Sequence, residues 1–196
     1  LQHLIAGKWG FAARRVLEAG TRTLAPMYLL VIPLLIGIPY LYPFAQPEMV
    51  EQSGALQHKK AYLNVPFFLL RTAIYFLIWW GIAHLLNKWA EEQDRTGEPG
   101  FAVRQRSLAA PGIILYSLAV TFAAIDWTMS LEPEFFSAVY PLIILVGQVL
   151  TALAVLILTM RFLAGYPPHS TVMTPDRFYN LGNLLLTFIV IWAYIA

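Results

Sequence analysis

Three acidic residues lie between two long apolar runs, and one of them falls inside the first run. Asp126 is followed by Glu132 and Glu134, with Pro133 between the two glutamates. Glu132 and Glu134 can lie in water at a turn, whereas Asp126 lies about one helical turn inside apolar sequence. An ionisable side chain at such a position in a membrane is costly and usually has a function. The chemistry available to it is the uptake and release of a proton.

Arg71 is the basic residue that matches Asp126 in predicted depth. Counting from the ends of their apolar runs places both about 6 to 8 Å below the same membrane surface. The two side chains can therefore meet, and Tyr75, one turn deeper on the face of Arg71, would extend the pair. Two interpretations stay open. The pair either fixes helix register or passes protons, with Glu132 and Glu134 as the continuation to water.

His84 lies near the opposite end of the run that contains Arg71. A lone histidine on an apolar helix either makes a hydrogen bond in the packing or serves as a ligand. Haem ligation by two histidines would need a second one at the same depth, and the sequence does not require one there. The chain has no cysteine, which excludes disulfides and cysteine-held metal clusters. We therefore predict no metal or cofactor in this chain, and keep His84 as a further candidate for a proton path.

The composition is that of an integral membrane protein. Of the 196 residues, 59% are hydrophobic and only 12% are charged, whereas soluble domains average about 25% charged residues. The net charge of +2 and the absence of a basic tract exclude nucleic acid as a partner. Lipids are the expected surroundings.

The apolar runs predict an all-α polytopic transmembrane helix bundle that forms one domain over residues 1–196. Residues 1–23 read as the end of a helix followed by an interfacial segment whose arginines face lipid headgroups. Prolines in the first run predict a kinked span, and the mixed charges of residues 90–107 predict a solvated loop. Because apolar residues stand at both ends of the sequence, we expect it to be a fragment of a longer protein. The predicted membrane spans are 24–44, 66–89, 108–130, 138–164 and 181–196.

Basic residues are unevenly distributed between the two ends of these spans. Three lie at the end that carries the acidic turn, namely Lys59, Lys60 and Arg71. The positive-inside rule predicts that the end with the other ten faces the cytoplasm and that the acidic turn faces outward. Those ten are Lys8, Arg14, Arg15, Arg22, Lys88, Arg95, Arg104, Arg106, Arg161 and Arg177.

Several stretches together resemble a known family. They are GKWG from Gly7, AYLNVPFF from Ala61, HLLNKW from His84, DWTMSLEP from Asp126 and LGNLL from Leu181. In order and spacing they resemble the second quinone-binding-type membrane subunit of alternative complex III, a member of the NrfD or polysulfide-reductase superfamily. The chain departs from that family at Glu134, where a histidine is frequent, and at Asn180 and Asn183, where some members carry charges.

The resemblance implies a subunit of about ten transmembrane helices in the bacterial inner membrane, without haem or clusters of its own. The implied partners are a related NrfD-like quinol-binding subunit and subunits that hold haem c and iron–sulfur clusters. The implied function is support of quinol oxidation in an oxidoreductase complex, together with proton movement, rather than catalysis by this chain alone. Asp126 and His84 match the family pattern. The alternatives are a secondary transporter and a purely structural anchor for redox subunits.

Overall fold

The computed structural model describes residues 4, 8–98, 100–166 and 173–196, with the backbone alone for residues 8–12. The described part contains nine α-helices and no strand, which confirms the all-α prediction. The helices are α1 (Lys8–Thr21), α2 (Leu24–Ile36), α3 (Ile38–Leu41), α4 (Pro47–Gln52), α5 (Gly54–Lys59), α6 (Val65–Thr96), α7 (Gly100–Trp127), α8 (Tyr140–Leu163) and α9 (Pro175–Ile195).

Five segments are long and apolar enough to cross a membrane, so the chain is a multi-pass membrane protein. They are Ala13–Ile36, Val65–Thr96, Gly100–Leu131, Tyr140–Leu163 and Pro175–Ile195. We call the end of the bundle that carries Glu132 and Glu134 the hairpin end. The opposite end, which carries Arg14 and Arg22, is called the basic end.

The first span is broken, but its bounds differ from the predicted 24–44. Helix α2 ends at Ile36, and the amide of Gly37 donates a hydrogen bond to the carbonyl oxygen of Pro33 at 2.9 Å. With 13 residues α2 is about 20 Å long, shorter than a hydrocarbon core of about 30 Å. By length and composition the apolar segment extends back to Ala13. Arg14 and Arg22, eight residues apart, both meet the end of α6, so this part of the segment lies at the basic end, where an interfacial segment was predicted.

The predicted loop over residues 90–107 is almost entirely helical. Helix α6 continues to Thr96 and α7 begins at Gly100. The turn between them depends on Gly97, whose φ of +70° is a left-handed conformation that favours glycine. The mixed charges of this segment therefore lie on two helix ends, where they can meet partners on α1.

Helices α6 and α7 form the central pair, and α8 packs beside α7 with α9 against α8. Two apolar clusters hold the ends of the bundle together. The cluster at the basic end joins α1, α8 and α9 through Ala13, Leu153, Leu156, Met160, Met173 and Leu181. The cluster at the hairpin end joins α3, α5 and the start of α6 through Ile38, Tyr42, Phe44, Leu56, Leu63 and Phe68.

Candidate functional site

Asp126 and Arg71 form a fully buried ion pair, as their predicted depths suggested. Arg71 Nε lies 2.7 Å from Asp126 Oδ2, and Arg71 Nη2 lies 2.9 Å from Asp126 Oδ1. The hydroxyl of Tyr75 donates a third hydrogen bond to Oδ2 at 2.6 Å. Asp126 is 0% exposed and Arg71 7%. The predicted contact among these three residues is confirmed, and their role is a separate question.

The remaining surfaces of the Arg71 guanidinium are also occupied. Nη1 donates a hydrogen bond to the carbonyl oxygen of Tyr62 at 2.9 Å. The guanidinium carbon lies 3.9 Å from the ring centre of Tyr62 and 4.3 Å from that of Phe67. Aromatic faces attract a cation more strongly where water is excluded. Arg71 is thus held by a carboxylate, a carbonyl and two rings, and we call Arg71, Asp126, Tyr75 and Tyr62 the hairpin cluster.

Local sequence explains why these side chains converge. Asn64 caps α6 by accepting a hydrogen bond from the amide of Phe67 at 3.0 Å, which fixes where the helix begins. Arg71 and Tyr75, four residues apart, therefore share the face of α6 that meets α7. At the end of α7, the Ser130 hydroxyl bonds to the carbonyl oxygen of Asp126.

The loop segments that flank α6 and α7 hold the end of α7 in place. The hydroxyl of Tyr42 donates to the carbonyl oxygen of Trp127 at 3.1 Å. The ammonium group of Lys59 donates to the carbonyl oxygen of Pro133 at 2.7 Å. The indole N–H of Trp127 in turn donates to Thr72 Oγ1 on α6 at 3.1 Å. These contacts fix the helix end that presents Asp126.

Tyr62 in the hairpin cluster and Tyr42 beside it stay neutral over the physiological range. Burial, followed by the negative charge of Asp126, raises the pKa of Tyr62 to about 12, and the same two causes raise the pKa of Tyr42 to about 12. Both residues lie before the start of α6. The hydroxyl of Tyr62 is buried and makes no hydrogen bond of good geometry with the described residues, but it lies close enough to Asp126 and Tyr75 to interact with both.

A row of polar aromatic side chains leads from the cluster toward the middle of the bundle. The rings of Tyr75 and Trp79 lie 6.5 Å apart, and those of Trp79 and Tyr116 lie 6.4 Å apart. The indole N–H of Trp79 is buried without a partner in the described part of the chain. The Tyr116 hydroxyl donates to Gln148 Oε1 on α8 at 2.9 Å. Tyr116, ten residues before Asp126 on α7, lies about 15 Å deeper.

The other predicted site residues lie outside the cluster. His84 is nine residues beyond Tyr75, which places it about 14 Å away along α6 and on the opposite face. It is exposed and stacks on Trp80, with ring centres 5.0 Å apart. Glu132 and Glu134 are exposed in the turn after α7, in agreement with their interpretation as solvated turn residues.

A second polar network lies at the basic end, and the sequence reading missed it. Arg14 donates to Glu18 at 2.7 Å and to the side-chain oxygens of Gln93 and Gln105, each at 3.1 Å. Arg15 also donates to Glu18, at 2.8 Å. Gln105 is only 1% exposed, and its Nε2 has no partner among the described residues. We call these five residues the basic-end network.

Peripheral ion pairs extend this network, since Arg15 contacts Asp94, and Arg22 Nη2 lies 2.5 Å from Glu91 Oε1. The sequence placed the arginines of residues 1–23 against lipid headgroups and did not predict these protein partners. Arg15 and Arg22 keep 49% and 64% of their side-chain surface exposed. The acids that they meet are Glu18 on α1 and Asp94 and Glu91 at the end of α6, which had been predicted to be a loop.

No group of three or more His, Asp or Glu side chains within the described ranges is arranged to hold a metal ion. No protein-family model matches the sequence. A search of curated proteins likewise finds no match.

Proposed function

We propose that this chain is an integral membrane subunit of a respiratory quinol:electron-acceptor oxidoreductase of the alternative complex III type, located in the bacterial inner membrane. In that assembly, partner subunits hold haem c and iron–sulfur clusters, and a related NrfD-like subunit binds quinol. This chain supports quinol oxidation by conducting protons at the hairpin end and does not carry out the redox chemistry itself.

The observation that carries the proposal is the position of Asp126. A carboxylate with no solvent exposure, one counter-charge and three hydrogen-bond donors lies near one membrane surface. Intramembrane carboxylates of this kind line proton relays in pumps and transporters. The exposed Glu132 and Glu134 follow it toward the surface, and the row from Tyr75 to Tyr116 approaches it from the membrane interior.

Each group has one task in the proposed transfer. The Asp126 carboxylate accepts the hydroxyl proton of Tyr75, which already points at Oδ2, and the Tyr75 oxygen takes a replacement proton from the interior side in the same step. Because Asp126 has no solvent exposure, its release of the proton to the turn beside Glu132 and Glu134 requires that water enter between them. Arg71 keeps the carboxylate in place during both steps through its two hydrogen bonds. Proton transfer between the rings of the deeper row would proceed through water, because ring centres about 6.5 Å apart do not bond directly.

The bidentate geometry specifically favours a second candidate function, that of a structural anchor. A buried arginine–carboxylate pair fixes the register of two helices, and removal of either partner leaves an uncompensated charge. In that role the pair would matter for assembly of the complex and not for proton movement.

Replacement of Asp126 by asparagine separates these two functions. The native complex is purified with this chain as the affinity handle, reconstituted into proteoliposomes and supplied with quinol and an electron acceptor. Asparagine keeps the shape of the side chain and one oxygen that can accept a hydrogen bond from Arg71. We therefore expect Asp126→Asn to be less stable but to retain the haem and iron–sulfur subunits, while proton release per electron, or turnover, falls. The matched control is Glu48→Gln, the same chemical change at an exposed position on α4 that has no part in the proposed transfer, and it should leave coupling unchanged.

Three other outcomes would contradict the proposal. Unchanged proton release in Asp126→Asn would leave only the structural function. Loss of the complex in that variant would favour the register-fixing pair. Solute uptake by the full-length chain in liposomes without redox partners would instead support the secondary transporter.

A further inference from the structure

One face of α6 is left open by the bundle, and two cavities that share Trp80 lie along it beside the start and middle of α2; together we call them the crevice. The residues of α6 that line it recur every three or four positions and so form a single helical stripe. The stripe is Leu69, Thr72, Ala73, Phe76, Leu77, Trp80, Ala83, His84, Asn87, Lys88 and Glu91. Trp80 borders both halves of the crevice. From Leu69 to Glu91 the stripe runs about 33 Å, close to the thickness of a hydrocarbon core.

The half nearer the hairpin end is an apolar groove of about 590 Å³. Its α2 wall consists of Tyr28, Val31 and Leu35. Helix α2 has no buried residue, and it touches α6 here through Tyr28. The Tyr28 ring lies 5.0 Å from that of Phe76, and its hydroxyl donates to the carbonyl oxygen of Phe76 at 3.2 Å. The two helices therefore stand apart over most of the groove.

The half nearer the basic end is smaller and polar, with a volume of about 370 Å³. Lys88 lines it and makes no hydrogen bond or ion pair with the described residues, and His84 contributes an exposed imidazole. Arg22 also lines this half but is paired with Glu91. The net formal charge of the lining is +1, counting Arg22 and Lys88 against Glu91 with His84 neutral.

We propose that this crevice binds one anionic glycerophospholipid, with its phosphate at Lys88 and His84 and an acyl chain in the apolar groove. The proposal concerns a different face of α6 from the hairpin cluster and does not depend on the proposed function.

Along the crevice, polar and apolar lining residues follow each other in the same order as the parts of a phospholipid. A cation at the membrane surface is followed by an aromatic ring, Trp80, and then by an apolar groove, which is the order of headgroup, interface and acyl chain. Lys88 lies about 22 Å from the level of Ala73, more than half of a hydrocarbon core of about 30 Å. A chain that starts at the basic end therefore reaches the middle of the membrane inside the crevice.

The charge selects an anionic headgroup over a zwitterionic one. Basic pockets between transmembrane helices on the cytoplasmic side attract anionic lipids, and the basic end is the predicted cytoplasmic side. An apolar helix from another chain would fill the groove but would leave the Lys88 ammonium group without a partner at the polar end. An anionic lipid satisfies both halves at once.

Native mass spectrometry of the full-length protein tests the proposal. Phosphatidylglycerol or phosphatidylcholine is added at equal concentrations in a mild detergent, and the lipid-bound fraction is measured. We expect preferential retention of phosphatidylglycerol, with a loss of about fivefold in Lys88→Gln. Arg106→Gln removes the same charge from an exposed position on α7 outside the crevice, and this matched control should behave as wild type. Ala73→Phe fills the groove and should lower retention of both lipids.

Equal retention of phosphatidylglycerol by wild type and Lys88→Gln would overturn the proposal. So would full retention in Ala73→Phe, because the acyl chain would then lie elsewhere. If Ala73→Phe instead releases a co-purifying polypeptide, the occupant is a protein and the lipid assignment is wrong.

Discussion

The hairpin cluster and the basic-end network both neutralise charge at the ends of α6 and α7, but they do so in different surroundings. Asp126 is completely buried and all of its side-chain partners come from α6. At the basic end, Arg15 keeps 49% of its side-chain surface exposed and Asp94 keeps 53%. The hairpin cluster is a small group of side chains from which solvent is excluded. The basic-end network is larger, is partly solvated and also includes residues of α1.

This difference indicates which charges carry large energies. Removal of one partner from a buried pair strands the other in a medium that cannot solvate it, at about 3–5 kcal/mol. An exposed pair is worth about 0–1 kcal/mol, because water and salt replace the lost partner. Loss of a charge from the hairpin cluster should therefore lower the free energy of unfolding more than loss of an exposed charge at the basic end.

The strongest test of this contrast compares the free energies of unfolding of the Arg71→Leu and Arg22→Leu variants. Arg71→Leu leaves Asp126 buried without its counter-charge, and we expect the free energy of unfolding to fall by about 3–5 kcal/mol. Arg22→Leu breaks an exposed pair with Glu91 and should cost at most about 1 kcal/mol. Reversible unfolding in detergent, followed by tryptophan fluorescence, measures both. Similar losses in the two variants would show that the two ends do not differ in dielectric surroundings.

Two tyrosine-to-phenylalanine variants sharpen the comparison within the hairpin cluster. Tyr75→Phe removes a hydrogen bond to a charged acceptor and should cost about 1.5–3 kcal/mol. Tyr62→Phe removes a hydroxyl that makes no hydrogen bond of good geometry with the described residues, although Asp126 and Tyr75 lie near it, and the loss of stability should be clearly smaller. The same unfolding experiment compares them. A large loss in Tyr62→Phe would mean that its hydroxyl is bound, for example through water.

At the basic end, the largest effect should come from Arg14. Arg14→Leu removes hydrogen bonds to Gln93 and Gln105, each worth about 1 kcal/mol, and leaves the Gln105 side chain buried without a donor. We expect a loss of about 2 kcal/mol. Arg15→Leu is the matched control, since the Arg15 side chain is 49% exposed and Glu18 keeps its hydrogen bond to Arg14 in that variant. A greater loss in Arg15→Leu would contradict this ranking.

Helical periodicity explains why part of the site could be predicted from the sequence. Arg71 and Tyr75 share a helix face, and their depth matched that of Asp126, so their contact followed from spacing alone. Tyr62 could not be found in this way, because it precedes α6 and contacts Arg71 through a carbonyl and a ring face. The contact between Phe67 and Arg71 could have been predicted in this way, because the two residues are four positions apart on the same helix.

The basic-end network shows where sequence reading fails. Mixed charges with Gly97 and Pro99 indicated a loop. Because a loop has no helical periodicity, the sequence could not show that Glu91 and Asp94 face the arginines of residues 1–23. The arginines of α1 were consequently assigned to headgroups. Tertiary packing outweighed the local signal, since α1 packs against α8 and α9 and thereby brings its arginines to α6.

The smallest predicted effect concerns alkaline titration of the tyrosines near the hairpin cluster. The pKa of Tyr62 is raised from 10.0 to about 12, which means that the folded chain favours the neutral phenol. The stability gained in this way is fully present below pH 10 and is lost as the pH rises through about 12. Ultraviolet absorbance of tyrosinate in nanodiscs should show a late step, smaller in Tyr62→Phe but unchanged in Tyr166→Phe, which alters an exposed residue after α8. An undiminished late step in Tyr62→Phe would mean that water reaches this hydroxyl freely, and the contrast between a dry hairpin cluster and a solvated basic end would fail.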